Sequence, residues 1–95
     1  MRFIWDGDKA DENERSHDVS FFEAQDSFRD PYAIEEYDAS HSEDESRFIL
    51  VGHSGRHLLM VVFAIPDADT IRIISARKAE AKFRKAYEKQ KKHDS

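Results

Sequence analysis

Ile71-Arg72-Ile73-Ile74-Ser75-Ala76-Arg77 reads as a buried strand carrying one cation and feeding a helix whose first turn carries another. Two arginines on adjoining rigid elements suit a phosphate, because planar guanidinium forks match its oxygens bidentately. Arg77, placed at a strand-to-helix junction, gains the outward amides of a first helical turn as further anion donors. A cation there opposes the helix dipole, which points to a reason for it other than stability. Lys9 and His17, eight residues apart, fall about two turns from each other on an expected helix and face one side of it. An imidazole titrates near neutrality and suits proton transfer. Taken singly, a mid-strand Arg72 is an ordinary solvent-facing residue and His17 an ordinary cation at the C-terminal end of a helix. Taken together, the four describe a phosphodiester site that requires neither metal nor cofactor.

Other clusters carry less. His53 and His57 flank a hairpin turn without carboxylates in register, a poor pattern for zinc. His41-Ser42 with Glu43, Asp44 and Glu45 has ligands for a divalent cation, but an exposed acidic loop is the simpler account. Gly52-His53-Ser54-Gly55 lacks the spacing of a nucleophile elbow, so serine hydrolase chemistry has no support. Trp5 reads as a packing residue.

The elements that must hold these residues follow from pattern. Residues 2–5 suggest a short strand, and Asp6 to Asp8 can cap a helix over about 9–16 whose apolar face is thin. Ser20-Phe21-Phe22-Glu23 is a capping box opening a second helix with Phe21, Ala24 and Phe28 on one side, stopped at Asp30-Pro31. Residues 33–37 are extended and 38–45 an acidic loop. Two strands, 47–52 and 58–65, join through the hairpin signal His53-Ser54-Gly55-Arg56, and a last strand covers 70–75. A final helix puts Ala76, Ala79, Phe83, Ala86 and Tyr87 on one stripe. The expected class is α+β: an antiparallel sheet of about four strands, two N-terminal helices and one C-terminal helix, the helices mainly on one face.

Ninety-five residues suit one modest core, here a single domain over 1–90 with 91–95 as a frayed basic tail. The absence of cysteine removes disulfides and thiolate chemistry and fits a reducing cytoplasm. The longest apolar run, Leu58 to Pro66, falls far short of the roughly 20 residues of a membrane helix, and the N-terminus meets charge too early for a signal peptide. The net charge of -5 hides a division: residues 77–92 carry eight cations against Glu80 and Glu88, while residues 1–76 sum to -10. A molecule polarised in this way can bind a polyanion at one end despite its acidity.

Trp5-Asp6, Lys9, Asn13, His17, Val19, Phe21, Ala24, Phe28-Arg29-Asp30-Pro31, His41-Ser42, Glu45-Ser46-Arg47, Gly52 and Arg72 to Arg77, continuing to Tyr87, resemble the BrnT family. Its members are small toxins of type II toxin–antitoxin pairs within the RelE-like ribonuclease superfamily. The likeness spans about residues 3–88. It is most specific in the Trp-Asp-x-x-Lys-x-x-x-Asn-x-x-x-His opening and in Arg-Ile-Ile-Ser-Ala-Arg. It implies a RelE-like fold and a cytoplasmic endoribonuclease that cuts RNA and halts translation. It also implies a cognate DNA-binding antitoxin through which the pair binds operator DNA. The active positions it implies are Lys9, His17, Arg47, Arg72 and Arg77, of which Arg47 has no independent signal in the residues. The family usually has a basic residue before the histidine and glycine after it, where this chain has Ser16 and Asp18, and many members have glutamate in place of Phe83. The competing expectation is a non-catalytic module that binds RNA or an acidic partner through the basic C-terminal helix.

Overall fold

The computed structural model describes residues 1–41 and 45–94. In chain order these form β1 (Arg2–Ile4), α1 (Gly7–His17), α2 (Phe21–Ser27), β2 (Ile34–Tyr37), a 3-10 turn (Ala39–His41), β3 (Arg47–His53), β4 (Leu58–Asp67), β5 (Thr70–Lys78) and α3 (Ala81–Asp94). Among the described residues the strands make one five-stranded sheet in the order β1-β5-β4-β3-β2. The α+β class and the three helices match expectation. The meander β3-β4-β5 is antiparallel as expected and β2 adds to its far edge, but β1 pairs parallel to β5, so the sheet is mixed. Parallel pairing needs a long connection, here everything between β1 and β5, and no local pattern announces it.

Helix ends follow local chemistry. The Asp6 carboxylate accepts from the amides of Asp8 and Lys9 at 2.9 and 3.1 Å, occupying two of the donors that a helix start leaves unpaired. α1 stops where Asp18 turns left-handed at φ 55°, its amide bonded to the Glu14 carbonyl. The Ser20 hydroxyl caps α2 through the Glu23 amide at 3.0 Å. The expected capping box is only half made. Glu23 does not turn back to Ser20 but accepts from the Ser54 hydroxyl at 2.7 Å and meets His57 Nδ1 at 2.9 Å. That ties the β3–β4 hairpin to α2.

The two sheet faces differ. Val19, Phe21, Ala24, Leu59, Val61, Phe63 and Ile73 are buried where α1 and α2 cover one face. Edge-to-face and stacked contacts link Phe3, Phe28, Phe63 and Phe48 through this layer. Trp5 packs edge-on against Phe21 and Phe22, as a packing residue should. Gly52 lets α2 approach: a Cβ there would stand 2.7 Å from the Ser27 carbonyl oxygen. The C-terminal helix departs from the expected arrangement and covers the opposite face, at one end only. Its Phe83 and Tyr87 pack against Val51, Leu58, Ile49 and Tyr32. The Tyr87 hydroxyl donates to Asp30 at 2.6 Å, and Asp30 also accepts from the amides of His53 and Tyr32. Among the described residues no helix is long and apolar enough to cross a membrane.

Candidate active site

β5 continues through Lys78 and α3 begins only at Ala81, so Arg77 is a strand residue paired with Met60. The expectation that it opens the last helix, with first-turn amides beside it, is therefore corrected. Ala76, expected on the helical stripe, is instead a buried strand residue facing α1 and α2. The sequence carries no helix stop-and-start between Arg77 and Ala81, and the pairing with β4 decides the boundary.

The register holds a second feature. Val62 pairs with Ser75 and Phe63 with Ile73, so Ile74 is an extra residue, a β-bulge. In an unbroken strand, residues five apart point to opposite faces. The extra residue reverses that parity and returns Arg77 to the face that Arg72 occupies. Cross-strand partners share a face: Arg72 lies beside Ala64 and Ala64 beside Arg47, while Arg77 lies beside Met60 and Met60 beside Val51. The three arginines thus stand on one side of the sheet, the side that α3 leaves partly open.

Lys9 and His17 approach from the edge. β1 ends opposite Arg72, and beyond it the outer edge of β5 meets α1. The buried side chain of Asn13 completes the pairing, donating to the Ala76 carbonyl at 2.8 Å and accepting the Ala76 amide at 3.0 Å, while also donating to the Val19 carbonyl at 2.9 Å. Lys9, Asn13 and His17 recur every four residues, so fixing Asn13 on the strand turns the other two the same way. With Glu12 and Ser16 they line a groove of about 250 Å³ closed by Ile74 and Ser75. Neither Lys9 nor His17 makes a side-chain hydrogen bond among the described residues. Ile74 and Ser75 also border a larger groove, about 380 Å³, on the arginine side. The bulge is the wall between the two.

Glu45 joins the clusters. Its carboxylate accepts a hydrogen bond from Arg72 and lies 4.0 Å from Arg47 Nε. The Arg72 hydrogen bond is the largest influence on the Glu45 carboxyl and holds it below the usual carboxylate range, with further attraction from Arg47 and Lys9. Arg47 and Arg72 therefore meet at one carboxylate that Lys9 also attracts, Arg77 stands on the same face paired to Glu80 at 3.9 Å, and His17 faces the bulge from the far end of α1. Sequence reasoning placed Glu45 in an acidic loop and assigned Asn13 no task. The four-residue spacing of Lys9, Asn13 and His17 was the available signal for Asn13. The cation reading of His41 to Glu45 falls largely outside the described residues, and Glu45 itself faces cations. His53 and His57 serve the hairpin: His53 Nδ1 accepts the Gly55 amide, and His57 contacts Glu23.

No curated protein matches the chain by sequence. A crystal structure of the Brucella abortus ribonuclease toxin BrnT superposes with a TM-score of 0.62 at 20% identity, covering 84% of this chain and 97% of that one. At that identity the likeness speaks for the fold. The model of the family described as ribonuclease toxin, BrnT, of type II toxin–antitoxin systems matches residues 5–82, from Trp5 through the arginine-bearing strand and into α3. The chain belongs to the BrnT family of type II ribonuclease toxins.

Proposed function

We propose that this protein is an endoribonuclease toxin that cleaves RNA by attack of the substrate's own 2′-hydroxyl. The bond from O2′ to phosphorus forms as the bond to O5′ breaks, leaving a cyclic phosphate and a free 5′-hydroxyl. One proton leaves the 2′-hydroxyl and one reaches O5′. His17 serves these transfers, its imidazole free of side-chain partners and turned toward the bulge. Arg72 and Arg77 stabilise charge on the pentacoordinate phosphorane, and Lys9 and Arg47 position the scissile phosphate. The observation that carries the reading is the meeting of Arg47 and Arg72 at the Glu45 carboxylate, an anion held where the reaction needs one. Preorganised donors at a developing charge supply the largest share of such catalysis.

In the cell, the proposal is that cytoplasmic RNA is cut, translation stops, and a cognate DNA-binding antitoxin neutralises the toxin and carries the pair to operator DNA; membership of a type II toxin family supports this reading. The test is cleavage of a single-stranded RNA by purified protein in chelator. Products ending in 2′,3′-cyclic phosphate and 5′-hydroxyl, and resistance of a substrate with 2′-deoxyribose at the cut, are expected. Products with 5′-phosphates, or cutting at the deoxy position, overturn the mechanism. The exposed cations of α3, Lys85 and Lys89 among them, favour the second reading, a basic binding module without turnover. Under that reading Arg77→Ala leaves growth arrest unchanged and loss of Lys82, Lys85 and Lys89 relieves it.

A further inference from the structure

The larger groove has a floor that the phosphate chemistry does not use. Ile49, Met60, Val62 and Ile74 lie side by side on the α3 face of the sheet, each only half-buried, with Phe83 of α3 as a wall. The opposite face of the same strands is shut: Leu59, Val61, Phe63 and Ile73 are at most 1% exposed. The difference follows from where α3 sits, docked by Tyr87 on Val51 and Leu58, touching the neighbouring apolar row at Ile49 and leaving it only partly covered. A contiguous apolar strip at a groove floor marks a binding surface more often than a stability device.

The rim narrows the choice of occupant. Arg47, Arg77 and Lys82 border the groove, and the two acidic groups there are engaged, Asp38 by the Ser40 hydroxyl at 2.8 Å and Glu80 by Arg77. Ile74 and Ser75 form the wall that the groove shares with the Lys9–His17 side. An occupant apolar on its faces and flanked by negative charge fits such a place, and about 380 Å³ holds one flat ring system with its sugar.

We propose that this groove is a nucleobase subsite, holding the base of the substrate nucleotide next to the scissile phosphate on the Ile49–Met60–Val62–Ile74 floor. This deepens the ribonuclease reading and rests on it. An apolar side chain of the antitoxin is the competing occupant. The cationic rim, continuous with the phosphate cluster, favours the nucleotide.

The experiment is binding of a fluorescent, uncleavable 2′-O-methyl hexanucleotide, compared with an abasic backbone of the same length, by anisotropy. The wild-type protein is expected to bind the intact oligonucleotide about tenfold more tightly, the order expected from burying one base face on apolar side chains. Met60→Ala and Val62→Ala should shrink that ratio toward one while the abasic backbone binds unchanged. Thermal unfolding verifies that both variants fold, and Val62→Thr, of native shape, gives the same readout should truncation unfold the chain. A ratio unaffected by these substitutions overturns the subsite. So does a result in which they weaken only antitoxin binding, which makes the groove a protein-docking surface. Cleavage of unmodified RNA by the wild type is scored separately: cutting with an unaffected ratio sinks the subsite alone, and base-dependent binding without cutting sinks the ribonuclease reading alone.

Discussion

Glu45 accepts a hydrogen bond from the Arg72 guanidinium while also standing 4.0 Å from Nε of Arg47, so the positive cluster on the sheet carries its own internal anion. A phosphate arriving at Arg72 must compete with this carboxylate. Glu45→Gln keeps an acceptor for Arg72 and removes the charge. Binding of an uncleavable RNA should tighten about fivefold at low salt, near 1 kcal/mol for one charge at a solvated site, and its salt dependence should steepen. Unchanged or weakened binding in a titration across salt concentrations contradicts the competition.

Arg77 reaches the face of Arg72 only because Ile74 is an extra residue in β5, and it offers a forked donor fixed on a strand. Lys9 offers a point charge on a flexible stem. Arg77→Ala should therefore lower kcat about 10²–10³-fold, the cost of deleting one preorganised donor, with little change in KM. Lys9→Ala should act mainly on KM, by about tenfold or less. Steady-state kinetics on one RNA oligonucleotide separates the two, and equal losses in kcat would undo the division of roles.

Asn13 donates to two carbonyls and accepts one amide, all buried. Asn13→Asp preserves shape but replaces both donations with repulsion. The variant should lose about 3 kcal/mol of stability at neutral pH and regain part of it in mild acid, where the protonated carboxyl can donate once more. Activity should fall further than stability at temperatures where the variant stays folded, because Asn13 sets the direction of Lys9 and His17. Urea unfolding at two pH values checks the first claim and single-turnover cleavage the second.

The helices α1 and α2, the meander and its hairpin were legible because each rests on local chemistry: a capping aspartate or serine, a two-residue alternation, Gly55 at φ 100° in the turn. The site was legible only as residue types. Nothing local tells that Ile74 is inserted into the pairing, since an apolar residue satisfies either face, and so nothing local puts Arg72 and Arg77 on one side. The position of Arg77 is hidden from the sequence for the same reason: Ala76, Ala79 and Phe83 keep helical spacing, but pairing with Leu59 and Met60 holds Arg77 and Lys78 in the sheet. Arg47 and Glu45 acquire meaning from Arg72, which is 27 residues from Glu45 in the chain.

Asp18 ends α1 in a backbone conformation that suits glycine. The residue closes α1 at φ 55°, a left-handed conformation that costs an L side chain more than glycine, although aspartate tolerates it better than most. Asp18→Gly should raise stability by about 0.5–1 kcal/mol. The His17 backbone is already held by the helix, so cleavage by the variant should match the wild type within about twofold. A drop in melting temperature would show that the Asp18 side chain contributes more than its backbone costs.

Acid should unlock the hairpin and the last helix together. Burial pushes the Glu23 carboxyl up, but its bonds from Ser54 and His57 outweigh that and leave it below its ordinary value of 4.5. At Asp30 burial again opposes and is again outweighed, here by Tyr87 and the amides of His53 and Tyr32, leaving it below 3.8. Carboxyls lowered on folding stabilise fully above their unfolded values and lose that contribution as pH falls through the folded ones. Stability should thus be flat in these two groups above about pH 5 and decline below pH 4.5, where Glu23 and then Asp30 bind protons. Glu23→Gln should flatten the upper part of that decline and Asp30→Asn the lower part. Because Asp30 receives Tyr87, the acid-exposed wild type should release α3 before the sheet unfolds, seen as loss of helical circular dichroism ahead of loss of Trp5 fluorescence. Coincident transitions in the two signals would mean that Asp30 does not hold the helix independently of the core.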